Sequence, residues 1–150
     1  APLGECKPNT DVFRLLAAEM GFEPELFAET DEEMAARAMG DDFLSVRQVR
    51  RLGVEGVLAR IPKDVRLYIT IDIDGFCPSI APGTGTPSHG GFLYYEVLEL
   101  LQGAARAHDI VGIDLVEVAP GYDPTGSTSI LAAQVLLNFL GFIFQARGAR

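Results

Sequence analysis

Basic side chains are scarce: 12 Lys and Arg against 21 Asp and Glu leave the 150-residue chain with a formal net charge of -9. That balance argues against a face built to neutralise a phosphate backbone, so no nucleic-acid partner is expected. Cysteine is nearly absent as well. Cys6 and Cys77 lie far apart and form no CxxC or Cys/His spacing, so neither a disulfide framework nor a structural zinc site is expected. No charged segment followed by an apolar run opens the sequence. A secretory leader is therefore not expected, and the cytoplasm is the expected compartment. The strongest membrane candidate, ILAAQVLLNFLGFIF from Ile130 to Phe144, is shorter than the roughly 18 apolar residues a span needs and contains Gln134 and Asn138. A buried helix is expected there, with no membrane partner.

What is present suits one globular domain. Nearly half the residues are hydrophobic (48%), enough to argue against intrinsic disorder, and a chain of this length buries about two-thirds of its unfolded surface. Asn9 or Thr10 can cap a helix carrying Val12, Leu15, Leu16 and Met20, with Gly21 as its left-handed stop. Thr30 and Glu33 form a capping box for a second short helix that ends at Gly40. Ser45 to Leu58 reads as helical turns interrupted at Gly53.

VRLYITI, Val65 to Ile71, is rich in β-branched and aromatic residues, and its few polar side chains predict a strand buried on both faces. A helix over Tyr94 to Ala107, a second strand DIVGIDLVEV over Asp109 to Val118 and a last helix from about Ser129 to Gln145 complete the pattern. Strand, helix, strand is a βαβ unit, and the fold class expected is α/β with a mainly parallel sheet.

Ligands in open α/β sheets gather outside the carboxyl ends of the strands, and acids stand at both ends here. Asp72 and Asp74, two apart, would share one face if strand geometry persists; two such carboxylates repel unless one is protonated or a hard divalent cation joins them. DxD also occurs in ordinary loops and helix caps. The loop that follows, GFCPSIAPGTGTPSHGG, combines Pro78, Pro82 and Pro87 with Gly83, Gly85, Gly90 and Gly91, a composition for tight and unusual backbone geometry. GTGT could alternatively form a nest for phosphate, but the GK[ST] of a P-loop is missing. At the second strand end Asp114 reads as a half-buried anchor. Glu117 reads either as a carboxylate that grips a guanidinium fork or as a solvated charge. His89 is expected as a loop residue and His108 as a surface one.

IDIDGFCPSIAPGTGTPSHGG, Ile71 to Gly91, and GIDLVEVAPGYDPTGSTSILAA, Gly112 to Ala133, together resemble the ureohydrolases, the arginase and agmatinase family, and agmatinases most closely. The first is similar to that family's DxDxxDP motif and PGTGTP continuation, the second to its DLVEV segment. The resemblance implies a three-layer α/β/α fold, incomplete in this chain, with residues 1–150 forming a single C-terminal part of the domain. It also implies hydrolysis of agmatine or a related guanidino compound to urea and an amine by a hydroxide activated between two Mn ions. Asp72 and Asp74 would be metal ligands, Glu117 would hold the guanidinium group, and Thr86 would lie by the substrate; a homo-oligomer is expected. Cys77 stands where the family usually has Asp, so a contact that supports the metal ligands or anchors the loop is expected to be lost, with weaker metal binding. The family's GGDHS and DAHxD segments are not found. With Ala1 rather than Met at the start, the expectation is a C-terminal piece that is inactive alone, the alternative being a shortened, catalytically inactive interaction subunit.

Overall fold

A computed structural model describes residues 7, 9–29, 33, 37, 40 and 43–148. The chain divides into two compact units, Ala1–Phe43 and Leu44–Arg150. In the first, helix α1 spans Asn9–Glu19. Gly21 ends it with a φ of 76°: its N–H donates to the Ala18 carbonyl while Phe22 N–H donates to that of Ala17, a pairing that satisfies the last open carbonyls. Arg14 closes the unit locally by bonding Asp11 Oδ1 at 3.0 Å and the Phe27 carbonyl at 2.9 Å. The Asn9 or Thr10 cap and the Thr30 capping box lie outside the described side chains and residues; Glu33 and Arg37 are helical and Gly40 has a φ of 59°.

The second unit begins with helix α2, Val46–Leu58, capped reciprocally: Ser45 Oγ accepts from Gln48 N–H, and Gln48 Oε1 accepts from Ser45 N–H at 2.8 Å. The helical geometry breaks at Gly53 (φ 67°, ψ 175°), the interruption expected there. Strand β1 runs Arg66–Asp72, helix α3 Tyr94–Ala107, strand β2 Asp109–Val116 and helix α4 Ser127–Gly148. β1 and β2 pair in parallel, so the crossover through α3 is a βαβ unit.

Register decides which face is which. Leu67, Ile69 and Ile71 align with Ile110, Ile113 and Leu115 and join the core with Ile73, Phe76, Leu101, Val135 and Phe139. The opposite face carries Tyr68, Thr70 and Asp72 alongside Gly112, Asp114 and Val116, and along β1 these positions are exposed. Within 44–148 the helices pack against the apolar face, and alternate positions of β1 on the other face are exposed. A register shift between Leu67 and Tyr68 leaves Val111 without a partner, and a Cβ on Gly112 would lie 2.4 Å from the Tyr68 ring. Gly112 is there because the ring crosses it.

α4 is longer than its apolar stretch suggested, and its 22 residues make it long and apolar enough to cross a membrane by length and composition. Leu131, Ala132, Val135, Phe139 and Ile143 form its buried stripe, while Ile130, Leu137 and Phe144 are exposed. That spacing, three to four residues per step, is that of a helix packed along one side. His108 also differs from expectation. It is 5% exposed, lying beside Ile143, Ala146 and Arg147 of α4, and its backbone N–H closes α3 on the Ala104 carbonyl at 2.9 Å.

Candidate functional site

Strand geometry ends at Asp72, so Asp72 and Asp74 do not share a face by strand alternation. Ile73–Gly75 instead forms a 3-10 turn, and Asp72 Oδ1 accepts the Asp74 N–H at 3.2 Å. Two acids come together through a turn that one of them caps. Thr86, from the far limb of the loop, donates its hydroxyl to Asp74 Oδ2 at 2.6 Å. Asp72 Oδ2 and Asp74 Oδ1 are uncommitted among the described residues.

The loop is closed at its base and again at its tip. At the base Phe76 and Phe92 form a bridge: Phe92 N–H donates to the Gly75 carbonyl at 2.8 Å and Cys77 N–H to that of Phe92 at 2.9 Å. A Cβ on Gly91 would stand 2.6 Å from the Gly75 oxygen, so only glycine lets the limbs approach. Arg50 of α2 donates to the Gly91 carbonyl at 3.0 Å and to both Glu96 oxygens at 2.8 and 3.1 Å. Glu96 in turn accepts the Leu93 N–H at 2.7 Å at the start of α3. The Arg50 bond, then Leu93, hold the Glu96 carboxyl below its ordinary range. Cys77 anchors through its backbone, its carbonyl receiving Ile80 and Ala81 N–H. Its sulfur accepts from the Ser79 hydroxyl at 3.1 Å, which lowers the thiol pKa.

At the tip, Asp123 is 4% exposed and collects four donors: Thr125 Oγ1 (2.6 Å) and N–H (3.1 Å) on one oxygen, Thr128 N–H (2.7 Å) and Oγ1 (2.8 Å) on the other. The Thr125 hydroxyl, then both Thr128 donors, bring its pKa down to about 2. Gly83 N–H donates to Thr128 Oγ1 at 2.8 Å, and the Gly83 carbonyl accepts Ala119 N–H at 2.7 Å. The loop after β1 is thereby fastened to the loop after β2.

Glu117 follows Val116, whose partner in register is Asp72, so the two acids stand at neighbouring strand ends. Glu117 is exposed, and with a φ of 64° it is the non-glycine residue in the left-handed region among those described. Such a backbone costs ~1–3 kcal/mol and persists only where its surroundings hold it. No hydrogen bond or ion pair joins it to Asp72, Asp74 or Thr86 among the described residues. Behind them Asp114 accepts from Tyr68 Oη at 2.8 Å and Thr70 Oγ1 at 2.5 Å. Those two hydroxyls, Thr70 first, lower its pKa, and the bond raises that of Tyr68; the anchor reading of Asp114 holds.

Carboxylate oxygens suit Mg or Mn, so the donor chemistry of Asp72 and Asp74 fits such an ion. Among the described residues no group of three or more His, Cys, Asp or Glu could hold one.

Sequence reasoning missed Asp123, Thr128, Arg50 and Glu96. An acid followed by threonines just before a helix is a cap signal, readable in DPTGST. Arg50 has no such local signal, because its partner is 46 residues away.

The Arginase family model matches residues 22–141. The chain is 37% identical over 108 residues to a guanidinobutyrase of Pseudomonas aeruginosa, covering 70% of this chain and 34% of that protein. It is 45% identical over 104 residues to an agmatinase of Edwardsiella ictaluri, covering 67% and 34%. In three dimensions it is similar to the proclavaminate amidino hydrolase of Streptomyces clavuligerus, with a TM-score of 0.65 and 37% identity over 74% of this chain and 38% of that one. The chain spans about a third of the length of the curated relatives it matches.

Proposed function

The chain belongs to the arginase family, and from that premise we propose that it is part of a hydrolase that cleaves a guanidino compound, agmatine or a close analogue, to urea and an amine. The observation that carries this reading is that Asp72 and Asp74 with Thr86, at the end of β1, and Glu117, at the end of β2, stand at neighbouring strand ends. Likeness to proteins named agmatinase and guanidinobutyrase supports it.

Each residue has a task its position suits. The Thr86 hydroxyl occupies one oxygen of Asp74 and so fixes how the other is presented; Asp72 is turned by the Asp74 N–H. These carboxylates would contribute to a Mn pair whose other ligands come from beyond the described residues. When bound, such a pair lowers the pKa of water and clamps the reacting centre. Glu117, acceptor-only when ionised, offers two oxygens in the plane a guanidinium fork requires and would orient the substrate through paired hydrogen bonds. In this reading the chain alone is inactive, and the working enzyme is a cytoplasmic homo-oligomer.

The test is urea release from agmatine, guanidinobutyrate and arginine, with and without Mn, by a polypeptide that carries this chain within a complete arginase-family domain. Mn-dependent release from one of them is expected; a Mn-loaded protein that releases none would favour a non-catalytic interaction subunit instead. Asp74→Ala should abolish the Mn-dependent activity. Glu117→Ala should impair turnover by at least about tenfold, as loss of a charge-assisted pair predicts, with metal content retained.

A further inference from the structure

We infer that Thr128 and Asp123 are positioning residues for Glu117, holding it in its left-handed backbone from the opposite side of the loop pair; the functional meaning of this rests on Glu117 being the guanidinium acceptor. A strained residue needs constraint on both sides. Upstream, Val116 is fixed by its register with Asp72. Downstream, the first backbone bond is Ala119 N–H to the Gly83 carbonyl, and Gly83 is held only as firmly as its own partner.

That partner is the Thr128 hydroxyl, whose direction is not free. It has one proton, and the Asp123 carboxylate, which can only accept, takes it at 2.8 Å. The oxygen is then left with lone pairs to face Gly83 N–H. Packing enforces the same arrangement, since a Cβ on Gly83 would meet Asp123 Cβ and Thr128 Oγ1 at 2.9 Å. The chain of dependence therefore runs Asp123, Thr128, Gly83, Ala119, Glu117. Without the Thr128 hydroxyl, the buried Gly83 N–H has no acceptor, the Gly83 peptide shifts and Ala119 is released. Glu117 then relaxes to extended geometry, where side chains alternate between faces and its carboxylate points elsewhere.

NMR on the 150-residue chain reads this directly, because a left-handed residue shows a strong intraresidue amide-to-Hα cross-peak and an extended one does not. Wild type and Thr128→Ser, which keeps the hydroxyl, should show that signature at Glu117. Thr128→Val should lose it while the β1 and β2 amides keep their dispersion. Should Thr128→Val not fold, Asp123→Asn replaces it: its amide nitrogen is a donor facing donors, and the same loss is expected. A folded valine or asparagine variant that keeps the signature, or a serine variant that loses it, overturns the inference. Agmatine titrated into Mn-loaded polypeptides that carry this chain, wild type or Thr128→Val, within a complete arginase-family domain tests the reading beneath it. The apparent affinity should be weakened about tenfold or more in Thr128→Val. Absence of any binding to wild type, with the backbone results as expected, would remove the guanidinium role and leave the positioning intact.

Discussion

Asp123 concentrates more hydrogen bonds than any other side chain described in the second unit, and its behaviour in acid follows from them. Its pKa is depressed in the folded chain, from 3.8 to about 2. The stability it contributes is therefore complete above pH 4 and is lost as the pH falls through about 2, because the unfolded state takes up the proton first. Urea midpoints measured between pH 5 and 2 should fall for wild type and fall less steeply for Asp123→Asn. Gly83 gives a companion test: Gly83→Ala places a methyl 2.9 Å from Thr128 Oγ1 and should cost about 1–3 kcal/mol of overpacking in the urea midpoint. At this scale the sequence was legible where chemistry is local. Asp72 and Asp74 were read from their local spacing and Thr86 from the family resemblance; the Asp74 N–H bonds Asp72 and the Thr86 hydroxyl bonds Asp74. What escaped was the reason for the glycines: Gly90 has a positive φ, whereas Gly83 and Gly91 are needed for close approach between segments far apart in sequence, which composition cannot reveal.

Elements were legible to within a few residues wherever one period dominates. α3 occupies the expected Tyr94 to Ala107, and β2 stops at Val116 rather than Val118 because Glu117 turns the chain out of the ladder. α4 extends to Gly148, beyond the apolar run, since a helix continues through polar residues once one side of it is packed. The join between α2 and α3 depends on Gly103, where a Cβ would come 2.7 Å from Leu58 Cδ1 and 2.8 Å from Val54 Cγ1, and on the Arg50 clamp. Replacing Arg50 with Met should raise the Glu96 pKa back toward its ordinary range, since Arg50 is the first cause of its depression; carboxyl-carbon NMR titration would show it, and an unmoved Glu96 would count against the clamp. Gly53→Ala, at a φ of 67° and a ψ of 175°, a region essentially reserved for glycine, should lower stability in the urea midpoint by about 1–3 kcal/mol.

Over the whole molecule, a single apolar layer between one sheet face and the helices carries the second unit. Phe139 is 0% exposed at its centre, and Phe139→Ala should remove about 3–5 kcal/mol, a large share of a total stability of roughly 5–15 kcal/mol. A markedly lowered midpoint of the thermal transition is the expected result. The α/β class and the parallel crossover could be read from alternating element types, but which side of β1 these helices take could not, because a β-branched run looks the same from either face. The Gly83 to Thr128 bond spans 45 residues, and its geometry exists only after β1, α3 and β2 have all come together. Contacts of such separation are closed late, after the loop-closure entropy has been met by the strands. The fastening should accordingly be missing from the folding transition state: Gly83→Ala should speed unfolding in stopped-flow measurements and leave the folding rate nearly unchanged. The arrangement of the strand ends would then be the last order this chain acquires, and the first it gives up.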